Sequence, residues 1–222
     1  MNSGHTEKPE TIIWDWNGTL LDDVDVCLDS MNILLAGRGH QPLSKRRYRE
    51  IFTFPVRSYY ELAGFDFDHE SFDEVAIEFI DLYRAKVRDC ILFSGARPVL
   101  EWFGTHGHEQ FMISAMEHQF LLESLSNCRV DHYFEDFTGI QDHFANGKAE
   151  MARAFIERKG IDPAKTLLIG DTLHDFEVAF NLGMQCLLVA GGHQSEERLR
   201  QAGCEVVPSL ADVVDRFKQI SG

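Results

Sequence analysis

The stretch Thr11-Ile-Ile-Trp-Asp-Trp-Asn-Gly-Thr-Leu-Leu21 constrains the chain most. A β-branched and aromatic run leads into an acid and then into Asn-Gly, the pattern of a buried strand ending in a sharp turn. Asp15 therefore stands at the exit of a strand that packs on both sides. An acid at such a place is costly to desolvate unless a metal, a cation or several amide donors lie beside it. An Asp can also simply cap the turn, so the rest of the chain has to decide between the two.

After Leu21 the texture is helical for some 70 residues. Val24, Cys27, Leu28, Met31, Leu34 and Leu35 fall on one face of a helix beginning near Asp22 and Asp23 and stopped by Gly37-Arg-Gly-His-Gln-Pro42. Ser44 can cap a second helix from Lys45 to Phe52. Pro55 suits the first position of a third, which Gly64 closes. Phe72, Val75, Ala76, Phe79, Ile80 and Tyr83 place a long amphipathic helix from about Glu70 to Arg88.

Beyond Arg97-Pro98, strands and helices alternate. Helices are expected near Pro98 to His106, His118 to Leu125, Lys148 to Arg158, Asp175 to Leu182, Ser195 to Ala202 and Leu210 to Ile220. Strands are expected at Glu109 to Ser114, Thr166 to Gly170, Gln185 to Val189 and Glu205 to Val207, with an extended piece at Tyr133 to Phe137. This alternation predicts an α/β, Rossmann-like parallel sheet with helices on both faces. Nothing in the helical block can pair with the first strand. The expected organisation is thus an α/β core of residues 1–21 and 93–222, with residues 22–92 inserted as an all-helical cap.

Ligands of open parallel sheets sit beyond the carboxyl ends of the strands. Three expected strands end there in Asp15, Ser114 and Asp171. Asp175 adds an acid four residues after Asp171, a spacing that can turn both carboxylates to one side, although an acid there also favours a helix N-terminus. Such a cluster needs a cation to stay ionised. Oxygen-only ligands suit Mg²⁺, and no Cys or His spacing suggests zinc. Lys148 opens a helix after Asn146-Gly147, against the helix dipole but where a phosphoester site needs a positive charge.

Asp15-Trp-Asn-Gly-Thr-Leu20, Ser114, Lys148 and Gly170-Asp-Thr-Leu-His-Asp175 resemble the four ordered motifs of the haloacid dehalogenase superfamily. The helical insertion resembles the small cap of its phosphoglycolate-phosphatase-like branch. The resemblance implies that Asp15 is a nucleophile forming an aspartyl-phosphate. Ser114, Lys148 and the amides of Asn17 and Gly18 would grip phosphoryl oxygens. Asp15, Asp171, Asp175 and the Asn17 carbonyl would hold Mg²⁺. The expected activity is hydrolysis of a small phosphorylated metabolite.

One residue departs from that pattern. Most phosphatases of the superfamily carry an Asp two residues after the nucleophile, which protonates the leaving group and later deprotonates water. Asn17 keeps the carbonyl but cannot exchange a proton at neutral pH, a loss of about 10²- to 10⁴-fold. The site can serve a substrate with a good leaving group, or take its acid from His174 or His40. A phosphonate C–P hydrolase would need a cap lysine, Lys45 or Lys86. A catalytically silent phosphoester-binding module is the third alternative. Arg57, near a helix start where amides favour anions, is the cap residue expected to meet a substrate anion.

Composition limits the partners. A formal net charge of -15 over 222 residues disfavours nucleic acid and anionic membranes. A local cation can still recruit a small anion within a Debye length of about 8 Å. The polar N-terminus lacks the apolar centre of a signal peptide, and no run approaches the about 20 apolar residues of a membrane span. Five scattered cysteines suit reduced thiols. The chain is expected to be cytoplasmic, as a monomer or homodimer.

Overall fold

The computed structural model describes residues 8–140 and 147–220, without the side chains of Gln219 and Ile220. Six strands form one parallel sheet in the order β3-β2-β1-β4-β5-β6. They are β1 (Thr11–Trp14), β2 (Glu109–Glu117), β3 (Asp136–Ile140), β4 (Thr166–Gly170), β5 (Gln185–Val189) and β6 (Glu205–Val207). The apolar run at Thr11 takes a central place, where both neighbours satisfy its backbone. Trp14 pairs with Met112 on one side and Ile169 on the other.

Alternation along β1 divides the core. Ile12 and Trp14 point into a cluster with Leu167, Ile169, Leu187 and the aromatic Phe103. Ile13 joins Phe111, Ile113, Leu168 and Phe155 on the opposite face. This two-sided burial is why the strands read as continuous apolar runs. Helices α5 (Ala96–Thr105), α6 (His118–Cys128) and α10 (Leu210–Ile220) cover the first face, and α7 (Gly147–Lys159) and α8 (Leu173–Leu182) the second.

Between β1 and α5 lie α1 (Val24–Gly37), α2 (Lys45–Ile51), α3 (Val56–Ala63) and α4 (Phe72–Val87). They bury a cluster of their own, including Leu28, Met31, Leu35, Tyr48, Tyr60 and Val75. The chain leaves and re-enters the sheet through two segments that lie side by side. Asp22 N–H donates to Ile91 O at 2.9 Å, and Phe93 N–H donates to Leu20 O at 2.9 Å.

Several expected boundaries shift. Pro55 is the extended residue before α3 rather than its first helical one, and Ser44 caps α2 as expected by accepting from Arg47 N–H. The extended piece starts later, at Asp136, because Asp131–Tyr133 forms a 3₁₀ turn. The helix expected from Ser195 is only Glu196–Leu199 (α9). Asp23 does not cap α1 with its side chain, because that carboxylate is engaged elsewhere.

Phe103 is fully buried, edge-on to Trp14 at 5.7 Å and to Phe217 at 5.0 Å. Its truncation leaves a cavity that three rigid elements cannot close. Phe103→Ala is expected to cost about 3 to 5 kcal/mol, measurable by denaturant unfolding monitored with circular dichroism.

Candidate active site

β1 and β4 are neighbours, so the residues that follow them meet. Asp15 N–H donates to Ile169 O at 2.9 Å, which sets the Asp15 and Asp171 carboxylates on the same rim. Thr19 binds them together, its hydroxyl lying 3.0 Å from Asp171 Oδ1 and 3.3 Å from Asp15 Oδ2. Asp15, Asp171 and Asp175 offer oxygens that all lie within 4.8 Å of one another, and all three residues are buried.

Lys148 reaches this rim from the first turn of α7. Its ammonium donates to Asp15 Oδ1 and, at 2.6 Å, to Asp175 Oδ1. Asp175 has two tasks. Its Oδ2 accepts from Thr172 N–H and Oγ in a capping box that starts α8, while Oδ1 receives the lysine. The helix-start explanation and the site explanation for Asp175 therefore both hold. Asn146, named beside Lys148 in the sequence reading, lies outside the described residues.

Electrostatics follow from this burial. Desolvation dominates at Asp15 and pushes its pKa up to about 6 against the pull of Lys148. Desolvation likewise raises Asp171 to about 7, with His193 opposing. Burial works against ionised Asp175 too, but Lys148 and Thr172 outweigh it and its pKa falls below the ordinary value. For Lys148, burial disfavours the charge, yet Asp15 and Asp175 together raise its pKa.

Asn17 is the residue whose surroundings the sequence leaves unread. Its amide nitrogen donates to Asp23 Oδ2 at 2.8 Å and to Tyr83 Oη at 2.7 Å, and its oxygen accepts from Ser114 Oγ at 3.3 Å. The reverse amide orientation would set oxygen against the Asp23 carboxylate, so this one is fixed. Asp23 also accepts from Gly18 N–H at 2.9 Å and Tyr83 Oη at 2.7 Å, and faces His193 Nε2 at 3.3 Å. Burial opposes ionised Asp23, but His193 and these donors hold its pKa below the usual carboxylate range. Burial also opposes charged His193, yet Asp23 prevails and lifts its pKa to about 9. The second ring nitrogen lies 2.7 Å from Tyr48 Oη.

Two glycines let the turns close. Gly18 has φ +71°, and a Cβ there would strike Asp171 and His193. One at Gly192 would strike Asp171 and the Gly18 carbonyl. Sequence reasoning missed Asp23, His193 and Thr19. A signal existed for His193: Ala190-Gly-Gly-His193 follows β5 at the same rim, a fourth strand end with glycines.

The cavity over this rim has a volume of about 320 Å³ and is lined by Asp15, Asn17, Lys148, Asp171 and Asp175 below and by helical residues above. Ser114 is fully buried behind Asn17 and does not line it. Arg57 is not brought to the site. It pairs with Glu61 at 3.0 Å, and its guanidinium lies over Phe67 at 5.2 Å. His40 is also away from the cavity. His174 lines it, stacked on Phe54 at 4.7 Å. Lys45 and Lys86 pair with Asp25 and Asp29, and neither lines the cavity, so the described residues offer no cap lysine for a Schiff base.

The parallel sheet thus gathers three buried acids and a buried lysine at its carboxyl rim. The family model described as haloacid dehalogenase-like hydrolase matches residues 12–189, and the chain belongs to that family. It is 27% identical to a phosphoglycolate phosphatase of Pseudomonas fluorescens, over 84% of this chain and 71% of that protein. It is 26% identical to a 5'-nucleotidase of Pseudomonas aeruginosa, over 85% and 86%. A haloacid dehalogenase-like hydrolase family protein from Streptococcus pneumoniae shares the fold with a TM-score of 0.83 and 19% identity, covering 94% of this chain and 98% of that one. The protein is thus an enzyme of the hydrolase class. No described helix is long and apolar enough to cross a membrane.

Asn17→Asp would set a second carboxylate against Asp23. A new acid there has its pKa raised, so its penalty appears as pH rises through that value. The variant is expected to lose about 1 to 3 kcal/mol, more at about pH 8 than at about pH 5, with Asp23→Asn in the same chain recovering most of it. A double-mutant cycle in denaturant unfolding checks this.

Proposed function

We propose that this protein is a magnesium-dependent phosphatase that hydrolyses a small phosphate monoester through an aspartyl-phosphate on Asp15. The observation that carries the reading is Asp15 itself. It is buried at the exit of the central strand, held by Lys148 and grouped with two further carboxylates. Similarity to phosphoglycolate phosphatases and to a 5'-nucleotidase supports the reaction class.

The charge inventory supports a divalent ion. When ionised, Asp15, Asp23, Asp171 and Asp175 outnumber by two the cations that pair with them directly, Lys148 and protonated His193. An all-oxygen set of that charge fits Mg²⁺. Asp15, Asp171 and the Asn17 carbonyl would hold it, with Asp175 nearby. When bound, it would neutralise phosphoryl oxygens and stabilise charge in transfer.

In the reaction, ionised Asp15 attacks phosphorus and the ester oxygen departs with its electron pair. Water then attacks phosphorus and frees Asp15. Lys148 keeps its ammonium against Asp15 and would neutralise an equatorial oxygen, whereas Gly18 N–H is engaged by Asp23 and Ser114 Oγ by Asn17. Asn17 has no proton to give, and both of its N–H groups are spent. Residues 22–92 would act as a cap domain that excludes water and selects the leaving group.

Asp15→Asn is expected to lower Mg²⁺-dependent turnover of p-nitrophenyl phosphate by more than about 10³-fold; retained turnover would overturn the assignment. A second outcome concerns pH. Raised pKa values at Asp15 and Asp171 stabilise the metal-free fold in acid, and that stability is lost as pH rises through about 6 to 7. Mg²⁺ should offset the loss, so the Mg²⁺-induced rise in Tm should grow across that window and vanish with chelator.

A further inference from the structure

The part of the cavity above the carboxylates is where a leaving group must lie, and its walls are aromatic. Phe52 and Phe54 come from the turn after α2, Tyr59 from α3, Phe79 and Tyr83 from α4, and Phe120 from α6. Phe52 and Phe54 stand edge to face at 5.6 Å, and Phe52 lies 5.1 Å from Tyr59. Phe79 and Tyr83 are stacked at 6.0 Å with an interplanar angle of 10°. Such walls favour a flat ring by offset or edge contacts.

Charge on the lining is already matched. Arg84 at the mouth pairs with Glu117 at 3.2 Å and lies over Phe120, and His174 faces Glu177 at 3.3 Å. Among the described residues that line the cavity, no cation beyond Lys148 and His193 of the rim lacks a carboxylate partner. A small acid phosphate would set its carboxylate against phenyl rings. One polar atom does await a partner: Tyr59 Oη is buried and makes no hydrogen bond. An unpaired buried hydroxyl costs about 1 to 3 kcal/mol until something meets it.

With Asn17 unable to carry a proton, and the His174 ring stacked on Phe54 and facing Glu177, the chemistry points the same way. An aliphatic ester expels an alkoxide, whose conjugate acid is about as weak as water. A phenolate leaves with pKa about 10 and needs no proton in flight. We propose that the substrate class of this site is an aryl phosphate, its ring lodged among Phe52, Phe54, Phe79 and Phe120 and a polar ring substituent meeting Tyr59 Oη. The inference rests on the phosphatase reading above. Asp15 oxygen bonds to phosphorus as the bond from phosphorus to the phenolic oxygen breaks. The electron pair leaves on that oxygen, which takes a proton from solvent after departure. Water then supplies oxygen to phosphorus, its proton passing to phosphate or solvent, and Asp15 is restored.

The test compares kcat/KM of the full chain with Mg²⁺ for phenyl phosphate, cyclohexyl phosphate and phosphoglycolate, with acetyl phosphate as a ring-free substrate of good leaving group. Phenyl phosphate should exceed cyclohexyl phosphate, its match in size, and phosphoglycolate by about 10²-fold or more. Equal or faster turnover of either would overturn the aryl assignment and leave the phosphatase reading standing. No turnover of any of the four, acetyl phosphate included, would overturn the phosphatase reading itself. Phe54→Ala should raise KM for phenyl phosphate more than for acetyl phosphate; equal effects would count against the ring site. Tyr59→Phe should abolish a KM advantage of 4-acetylphenyl over phenyl phosphate with kcat little changed. An undiminished advantage would remove Tyr59 from the proposal.

Discussion

The structure depends on the Lys148 ammonium held between Asp15 and Asp175. Those three groups come from β1, α7 and the start of α8, and each is nearly inaccessible to water. Breaking such an arrangement by removing one partner leaves a buried charge unpaired, a loss of about 3 to 5 kcal/mol. The sheet therefore carries its proposed nucleophile and a lock on its own geometry in the same contact. The Asp23–His193 pair repeats the device a few ångströms away, and Asp171 touches both through Thr19 and the His193 amide, whose N–H donates at 2.6 Å.

Much of this was legible in the sequence. The run before Asp15, the strand at Thr166–Gly170 and the acid spacing from Asp171 to Asp175 announce a parallel sheet with acids at one rim, and the sheet and its family are as expected. Asp15, Lys148, Asp171 and Asp175 converge because local patterns place each at a strand or helix end, and parallel topology brings such ends together. The partners of Asn17 were not legible. Asp23 reads locally as a helix-start acid and His193 as a loop histidine. Only the folding of α1 and the β5 loop against one turn reveals that they face each other. Arg57 shows the converse: a plausible helix-start position says nothing of which way the cap turns it.

Asn17 changes meaning in that setting. Sequence presents it as a proton carrier removed. The structure shows its amide filling a role that a carboxylate could not, since it must donate to Asp23 while accepting from Ser114. The buried acid beside this turn is Asp23, which braces it through Gly18 N–H. On the proposed reading, Asn17 gives rigidity in place of a mobile proton, and the leaving group would depart unassisted.

The helical block α1–α4 is tied to the sheet and its loops at two kinds of place. Arg49 of α2 donates to the carbonyls of Gly191 and Gly192, and Arg198 and Gln194 donate back to Phe52 O. On the other side, the crossings at Leu21 and Leu92 form a single antiparallel bridge. The chain thus leaves and re-enters the core at one place, while the side-chain ties fix how the helical block sits over the rim. The register of β1 with β2 and β4 does not run through the block, yet Asp23 and Tyr83, which hold the Asn17 amide, belong to it, so the geometry of the rim is shared between sheet and helices.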